Sequence, residues 1–211
     1  MPRKNRSNPQ WIARHLNDPY VRRSVAEGYR SRAAYKLAEI DDKDRLLRPG
    51  MVVVDLGAAP GSWTQVVLQR LTGRDGRFSG QILALDVLPI EPLADVKFIQ
   101  GDFHDDAVER LLVEQLGGSP VDLLLSDMAP NLSGIASADA ARSVHLAEVA
   151  ADFAAKYLQP NGAFLVKAFQ GSGYSQYVER LKRIFRSVAV RKPAASRATS
   201  AEVYLLGRQL R

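Results

Sequence analysis

The most informative absence from this 211-residue chain is cysteine, which does not occur once. Without cysteine, the chain has neither disulfide bonds nor thiolate metal sites. Catalysis through a cysteine nucleophile is excluded for the same reason. Any covalent or group-transfer chemistry must therefore rely on other side chains, and no bound metal is expected.

Long hydrophobic runs are also missing, because charged residues interrupt every apolar stretch well before it reaches the length of a membrane span. The first residues, Met1–Arg6, are basic and lack the apolar centre of a signal peptide. We therefore expect a cytoplasmic protein with no membrane partner.

Two common nucleotide-binding fingerprints do not occur, namely the dinucleotide motif G-x-G-x-x-G and the P-loop with its Lys-Ser/Thr. The sequence has instead an apolar, β-branched run, Val52–Leu56, followed by small residues up to Ser62 and then by an amphipathic run. This pattern predicts a buried parallel strand, a tight turn and a helix. Gly57 and Gly61 in the turn allow a ligand to approach the main chain closely.

Charge is distributed unevenly around a net value of +6. Residues 1–36 carry nine Lys/Arg against Asp18 and Glu27, and residues 177–211 carry nine against Glu179 and Glu202. The middle of the chain is acidic. Two basic ends on an acidic centre indicate a polyanionic partner that contacts the ends, although such charges also occur on ordinary solvated surfaces.

Strand-like and helix-like segments alternate after residue 50, which predicts an α/β fold with a mostly parallel sheet covered on both faces. Length and composition fit one domain without an internal linker. The predicted strands are Val52–Leu56, Ile82–Val87, Val96–Asp102, Val121–Asp127, Ala163–Lys167, Ser187–Val190 and Glu202–Leu206. The predicted helices include Ala33–Ile40, with Ser31 as a candidate N-cap, and Ala107–Leu116, Ala138–Leu158 and Tyr174–Phe185.

Charged side chains stand at the ends of successive predicted strands. In a parallel sheet these ends share one edge, which is where α/β proteins bind their ligands. The strand ends therefore predict one crevice lined by Asp55, Asp86, Asp102, Asp127 and Lys167. The alternative for each single aspartate is a turn or helix-capping role.

Aromatic and basic residues alternate just before and within the first predicted helix, in the stretch from Tyr29 to Lys36. Stacking rings beside cations suit single-stranded RNA. We therefore take four residues as candidates for RNA contacts: Arg30, Arg32, Tyr35 and, from the basic C-terminal end, Arg197. A plain core position is the alternative for Tyr35.

Five short segments carry a resemblance to a known family: Ser31–Leu37, Asp55–Trp63, Ser126–Asn131, Val166–Gly171 and Ala201–Tyr204. In this order and spacing, they resemble the FtsJ/RrmJ family of ribosomal RNA 2′-O-methyltransferases over almost the whole chain. The resemblance implies a Rossmann-like fold that uses S-adenosylmethionine, with a seven-stranded, mostly parallel sheet and helices on both faces. It implies a single methyltransferase domain over residues 31–211, preceded by a basic N-terminal extension over residues 1–30.

The family has a Lys-Asp-Lys-Glu tetrad, which falls on Lys36, Asp127, Lys167 and Glu202. The resemblance also implies that the ribose, adenine and sulfonium of the cofactor lie near Asp86, Asp102 and Asp127, respectively. The complete set of implied cofactor-binding residues is Asp55, Gly57, Ala58, Pro60, Gly61, Ser62, Trp63, Asp86, Asp102 and Asp127. Ser62 departs from the family pattern, in which close relatives usually have glycine.

The implied reaction transfers a methyl group from S-adenosylmethionine to the 2′-hydroxyl of a uridine in 23S rRNA of the large ribosomal subunit, by an enzyme acting as a monomer. A ribose hydroxyl is a weak nucleophile that must lose its proton. A free lysine is protonated at neutral pH. Lys167 must therefore lose its proton to act as a base, or stay charged and stabilise the developing negative charge on oxygen.

Other functions remain open on the sequence alone. The same tetrad fits 2′-O-methylation of tRNA or another RNA, and a non-catalytic RNA-binding ribosome-assembly factor could retain a vestigial cofactor pocket. An enzyme that methylates a base amine fits poorly, because Asp127–Pro130 lacks the usual Asn/Asp-Pro-Pro-aromatic tetrapeptide. The tetrad could also be two buried salt bridges with only a structural role.

Overall fold

The computed structural model describes residues 18–130 and 136–211, and within them seven strands join one sheet. In chain order the strands are β1 (Val52–Leu56), β2 (Gln81–Asp86), β3 (Val96–Gln100), β4 (Val121–Ser126), β5 (Leu158–Phe169), β6 (Phe185–Arg191) and β7 (Glu202–Leu210). Their spatial order is β3-β2-β1-β4-β5-β7-β6.

Strands β1 to β5 pair in parallel, whereas β7 lies antiparallel between β5 and β6. The predicted mostly parallel, seven-stranded α/β sheet is therefore confirmed. Strand β5 is longer than the sequence indicates, because it begins at Leu158 and pairs there with Val121 before an irregularity in the register. The preceding helix consequently ends at Tyr157.

Six helices lie in the described part of the chain: α1 (Pro19–Ala26), α2 (Ala34–Asp44), α3 (Ser62–Leu71), α4 (Asp106–Leu116), α5 (Ala136–Tyr157) and α6 (Tyr174–Ile184). Residues of α2 and α3 pack on one face of the sheet, and residues of α4, α5 and α6 pack on the other. Both faces are thus covered, as predicted. None of these helices is long and apolar enough to cross a membrane.

Alternation along the strands decides which side chains each face receives. Leu123 and Leu125 of β4 and Leu165 of β5 belong to the core beneath α2 and α3. Leu124 and Phe164, one residue out of phase with them, belong to the core beneath α4, α5 and α6. Polar residues that continue the odd-numbered series therefore emerge on the α2/α3 side of the sheet.

Residues 18–30 of the predicted N-terminal extension pack on the domain. The hydroxyl of Tyr20 in α1 donates to Glu39 of α2 at 3.1 Å. The main-chain N–H of Arg30 donates to Gln65 of α3 at 2.9 Å. Residues 1–17 of the extension lie outside the described residues, and the proposed boundary at residue 30 stays a prediction.

Helix α2 is tied to the antiparallel end of the sheet by Asp44, its last residue. Both carboxylate oxygens of Asp44 accept hydrogen bonds from the guanidinium of Arg191 at 2.6 Å, and Arg208 donates to the Asp44 carbonyl. These hydrogen bonds from Arg191 lower the pKa of Asp44 from its ordinary value, against the effect of its partial burial. The two-pronged contact holds the helix that carries Lys36 against β6 and β7.

We expect Asp44→Ala to lower the free energy of unfolding by about 2 kcal/mol, because a charged pair with two hydrogen bonds is lost and the Arg191 guanidinium is left without a carboxylate partner. The matched control is Asp42→Ala in the same helix, where an exposed carboxylate meets Arg70 and should contribute less than about 1 kcal/mol. Urea unfolding of the two variants measures the difference. Equal losses would contradict the anchoring role of Asp44.

Candidate active site

A cavity of about 660 Å³ opens beyond the carboxyl ends of β1 to β4. It lies where the strand order reverses between β1 and β4, which is the usual ligand position in an open α/β sheet. Gly57 follows β1, Asp86 ends β2, Asp102 follows β3 and Asp127 follows β4, and all four line the cavity. Met128 and part of α5, including His145, complete the wall.

The turn between β1 and α3, residues 57–62, passes very close to the segment after β4. Gly57 has a φ of +76°, and a Cβ atom at this position would lie 2.7 Å from the side chain of Met128 and 2.8 Å from its main-chain nitrogen. Only glycine fits this close approach. On the cavity side, the turn is fastened by the N–H of Ala59, which donates to Asp86 at 2.8 Å.

Asp55, the fourth residue of β1, is completely buried and does not line the cavity. One of its carboxylate oxygens accepts a hydrogen bond from the Thr64 hydroxyl at 2.7 Å, and the other has no partner among the described residues. Burial raises the pKa of Asp55 to about 7, and the nearby charges of Asp127 and Asp86 add to this rise although Thr64 opposes it. The carboxyl group is therefore largely protonated below neutral pH.

Asp127 and Lys167 form the first half of the predicted tetrad. The Lys167 ammonium lies 3.1 Å from Asp127 Oδ1 and also donates to the Asp127 main-chain carbonyl. The hydroxyl of Tyr204 donates to the same Oδ1 atom at 2.9 Å. Asp127 thus receives hydrogen bonds from two side chains and fixes the direction of the lysine.

Lys36 and Glu202 form the second half, with the ammonium 2.7 Å from Glu202 Oε1. Ser196 donates to the same oxygen at 2.8 Å. Burial by itself would raise the pKa of Glu202, but the charge and hydrogen bond of Lys36, the Ser196 hydroxyl and the charge of Lys167 together lower it. Glu202 is therefore ionised and balances the charge of Lys36.

The two halves meet because of the register between β5 and β7. Lys167 lies opposite Tyr204 and Phe169 lies opposite Glu202 in this antiparallel pair. Since alternate residues share a face, Lys167, Tyr204 and Glu202 all project toward α2, the helix that carries Lys36. The Lys36 ammonium lies 5.8 Å from the centre of the Tyr204 ring. The structure therefore brings all four predicted tetrad residues together.

The predicted cofactor residues fall into two groups. Gly57, Asp86, Asp102 and Asp127 line the cavity, whereas the others do not: Asp55, Ala58, Pro60, Gly61, Ser62 and Trp63. Trp63 is 2% exposed, its indole N–H donates to the Ala33 carbonyl at 2.9 Å, and its ring packs on Tyr204. It lies in the core beneath α2 and supports the site from behind.

Three of the four predicted RNA-binding residues are less accessible than the sequence suggests, and the fourth is exposed. Tyr35 is 4% exposed and donates to Glu27, so its position supports a core role and not base stacking. Arg32 pairs with Asp18 and donates to the Ala195 carbonyl. Arg30 donates to the Pro60 carbonyl at 3.0 Å. Arg197 keeps 44% of its side chain exposed, 3.9 Å from Asp18.

Several residues of the site were missed by sequence reasoning. Tyr204 carried a usable signal, because it stands two residues after Glu202 in a predicted strand and therefore shares its face. His104 and His145 line the cavity with their rings stacked 5.3 Å apart, but they are far apart in sequence and no motif links them. Ser196 lies in a loop and gave no signal either.

A family model described as FtsJ-like methyltransferase matches residues 29–210. The chain belongs to the FtsJ-like methyltransferase family. Curated relatives of this methyltransferase include "Ribosomal RNA large subunit methyltransferase E" of Ralstonia nicotianae, which is 58% identical over 99% of this chain and 98% of the relative. The protein of the same name from Burkholderia ambifaria is also 58% identical, with the same coverage.

Solved structures agree with this FtsJ-like fold. A ribosomal RNA methyltransferase from Plasmodium falciparum is 33% identical, with a TM-score of 0.76 over 86% of this chain and 98% of that one. An rRNA methylase from Clostridium thermocellum has a TM-score of 0.55 over 83% of this chain and 97% of that one. At 14% identity the second likeness concerns the fold alone.

The buried Asp55 predicts an unusual pH dependence of stability. An unfolded aspartate ionises near pH 4, whereas Asp55 in the folded protein ionises near pH 7. Its contribution to stability is complete below about pH 4 and declines as the pH rises toward about 7, by up to about 4 kcal/mol in total.

The Asp55→Asn variant cannot ionise at this position. As the pH is raised from 5 to 8, its free energy of unfolding should therefore fall less than that of the wild type, as measured by urea unfolding without cofactor. Asp75→Asn, at an exposed position, is the control and should retain the wild-type dependence. If Asp55→Asn and the wild type have the same pH dependence, the group does not ionise near neutrality.

Proposed function

We propose that the protein transfers a methyl group from S-adenosylmethionine to the ribose 2′-hydroxyl of a uridine in 23S rRNA of the large ribosomal subunit, in the cytoplasm. The observation that carries this proposal is the meeting of two ammonium–carboxylate pairs, Lys36–Glu202 and Lys167–Asp127, beside the cavity. The names of the 58% identical relatives support the choice of ribosomal RNA. A single chain supplies all four side chains of the tetrad, and we propose that the enzyme acts as a monomer.

The residues around the cavity fit S-adenosylmethionine. Asp86 is oriented by the main-chain N–H groups of Ala59 and Leu88, and its oxygens can accept further hydrogen bonds from two ribose hydroxyls. Asp102 is held by the N–H of His104 and keeps an exposed carboxylate for the adenine amino group. Asp127 is the acid nearest the tetrad and suits a sulfonium charge. When bound, S-adenosylmethionine supplies a methyl group activated by that charge.

Lys167 is the tetrad residue that we assign to the hydroxyl. The Lys167 ammonium donates a hydrogen bond to the Asp127 main-chain carbonyl and lies 3.1 Å from a side-chain oxygen of the same residue. An ammonium can donate three hydrogen bonds, and one that remains can go to the ribose oxygen. This arrangement favours a charged Lys167 that orients the hydroxyl and stabilises the negative charge developing on its oxygen.

Lys36 and Glu202 act as the second pair in this proposal. Glu202 is ionised and fixes the Lys36 ammonium, which faces the Tyr204 ring and lies on the same side of the sheet as Lys167. A second ammonium held beside the reacting ribose helps to align the hydroxyl with the methyl group. Such alignment accounts for a large part of the rate in transfer reactions.

Methyl transfer with labelled S-adenosylmethionine tests the function directly. The acceptors are large ribosomal subunits from cells that lack the gene, a free 23S rRNA transcript and bulk tRNA. We expect label in 23S rRNA, on the ribose of a single uridine, located by resistance of the adjacent phosphodiester to alkaline cleavage. Label in tRNA, label on a base, or no label on any acceptor would each contradict the proposal.

Lys167→Ala should reduce methyl transfer by at least about a hundredfold and leave cofactor affinity nearly unchanged, because Lys167 does not line the cavity. Lys97→Ala on β3, where an exposed lysine donates to the Gln115 carbonyl, is the matched control and should remain active. Single-turnover rates and calorimetric binding of S-adenosylhomocysteine are the measurements. Comparable turnover in Lys167→Ala would remove this residue from the mechanism.

A further variant distinguishes the two roles of the lysine. Lys167→Arg keeps a permanent cation that cannot act as a base. We expect it to retain more activity than Lys167→Ala, since charge stabilisation survives in part. If both variants are equally inactive while both bind S-adenosylhomocysteine, Lys167 acts as the base.

A further inference from the structure

The turn of residues 57–62 makes hydrogen bonds on both of its sides. On the cavity side it is bound to Asp86 through the N–H of Ala59 at 2.8 Å. On the opposite side it faces residues 28–33, which we call the approach segment because α2 and its Lys36 follow directly. The turn therefore has direct hydrogen bonds to the cavity wall on one side and to the approach segment on the other.

Five groups of the approach segment, the Ser31 hydroxyl among them, are bonded to the turn or to the start of α3. The guanidinium of Arg30 donates to the Pro60 carbonyl at 3.0 Å, and the Trp63 indole donates to the Ala33 carbonyl at 2.9 Å. Gln65 accepts from the Arg30 N–H at 2.9 Å and donates to the Gly28 carbonyl at 3.0 Å. These bonds make the turn and the approach segment one connected unit.

The contact between Ser62 and Ser31 is the shortest link in this unit, with 2.7 Å between the two hydroxyl oxygens. Ser62 is 2% exposed and stands at the first position of α3. The Ser31 hydroxyl also accepts from the Ala33 N–H at 3.1 Å, one residue before α2 begins. Lys36 follows within one helical turn, so a shift of Ser31 is passed to the lysine through a short and rigid path.

We propose that Ser62 is a positioning residue that transmits occupancy of the cavity to Lys36. A bound cofactor that holds the turn against Asp86 also holds Ser62 in place. Through its hydrogen bond, Ser62 then holds Ser31 and the start of α2. Cofactor and RNA then bind with positive coupling, and each raises the affinity of the other by the same factor. The inference rests on the proposed function, because Lys36 is taken to contact RNA.

The test measures binding of large ribosomal subunits with and without saturating S-adenosylhomocysteine. We expect the wild type to bind subunits at least about fivefold more tightly with the ligand, and Ser62→Ala to lose most of this difference. Ser24→Ala is the matched control, since Ser24 is equally buried and donates to a main-chain carbonyl at 2.8 Å within α1. It should retain the wild-type ratio.

Turnover gives a second readout that a purely structural role would not change in the same way. Ser62→Ala should lower kcat by about fivefold with little change in KM for S-adenosylmethionine. Ser31→Ala removes the same hydrogen bond from the other partner, so the double variant should be no worse than either single one. If Ser62→Ala does not fold, Ser31→Ala replaces it in both measurements, because it removes the same hydrogen bond.

Two results would overturn the inference: no coupling in the wild type, or an equal coupling ratio in the wild type and both serine variants. Methyl transfer by the wild type to 23S rRNA is measured first with the same subunits. Its absence would reject the proposed function together with this inference. Normal wild-type transfer with unchanged coupling in the variants would reject only the role of Ser62.

Discussion

The register between β5 and β7 is the constraint on which the candidate active site depends. It places Lys167 opposite Tyr204 and puts Glu202 on the same face, toward the helix that carries Lys36. A slip of one residue would turn Tyr204 and Glu202 to the opposite face of the sheet. Tight packing on both faces opposes that slip, because Leu205 and Leu206 are buried in different cores. Packing in the two cores thus fixes the positions of the tetrad residues on β5 and β7.

Burial of polar groups around the cavity follows a consistent pattern. Asp127 and Glu202 each receive hydrogen bonds from a lysine and from a hydroxyl, so their charges are compensated. Asp55 is completely buried with only the Thr64 hydroxyl as a hydrogen-bond partner, and burial raises its pKa. A single unionised acid beneath the turn reduces the repulsion that Asp55, Asp86 and Asp127 would otherwise exert on one another.

Much of the fold was predictable from the sequence because its signals are local. The β-branched run at Val52–Leu56, the alternation of strands with helices and the acids at the strand ends need only short windows to recognise, and the sheet agrees with them. The tetrad was predictable from the resemblance, since its four residues stand in specific motifs.

The remaining features depend on contacts between distant segments. Tyr35 has the composition of an RNA-binding residue, yet it is enclosed by α1 and Tyr29, which no local pattern reveals. The stack of His104 on His145 joins a loop and a helix that are far apart in sequence. Trp63 stands in a cofactor motif but turns its indole toward Ala33. Tertiary packing decided each of these positions.

The tetrad contains two ammonium groups and two carboxylates, so the reacting centre has no net charge of its own. It therefore attracts a polyanion only weakly, whether substrate or product. Electrostatic binding must come from basic groups elsewhere on the surface. The residues that carry out the reaction can then change in evolution independently of the residues that bind the nucleic acid. The same four residues can be directed to a different nucleic acid by changes in peripheral cations, without any redesign of the centre itself.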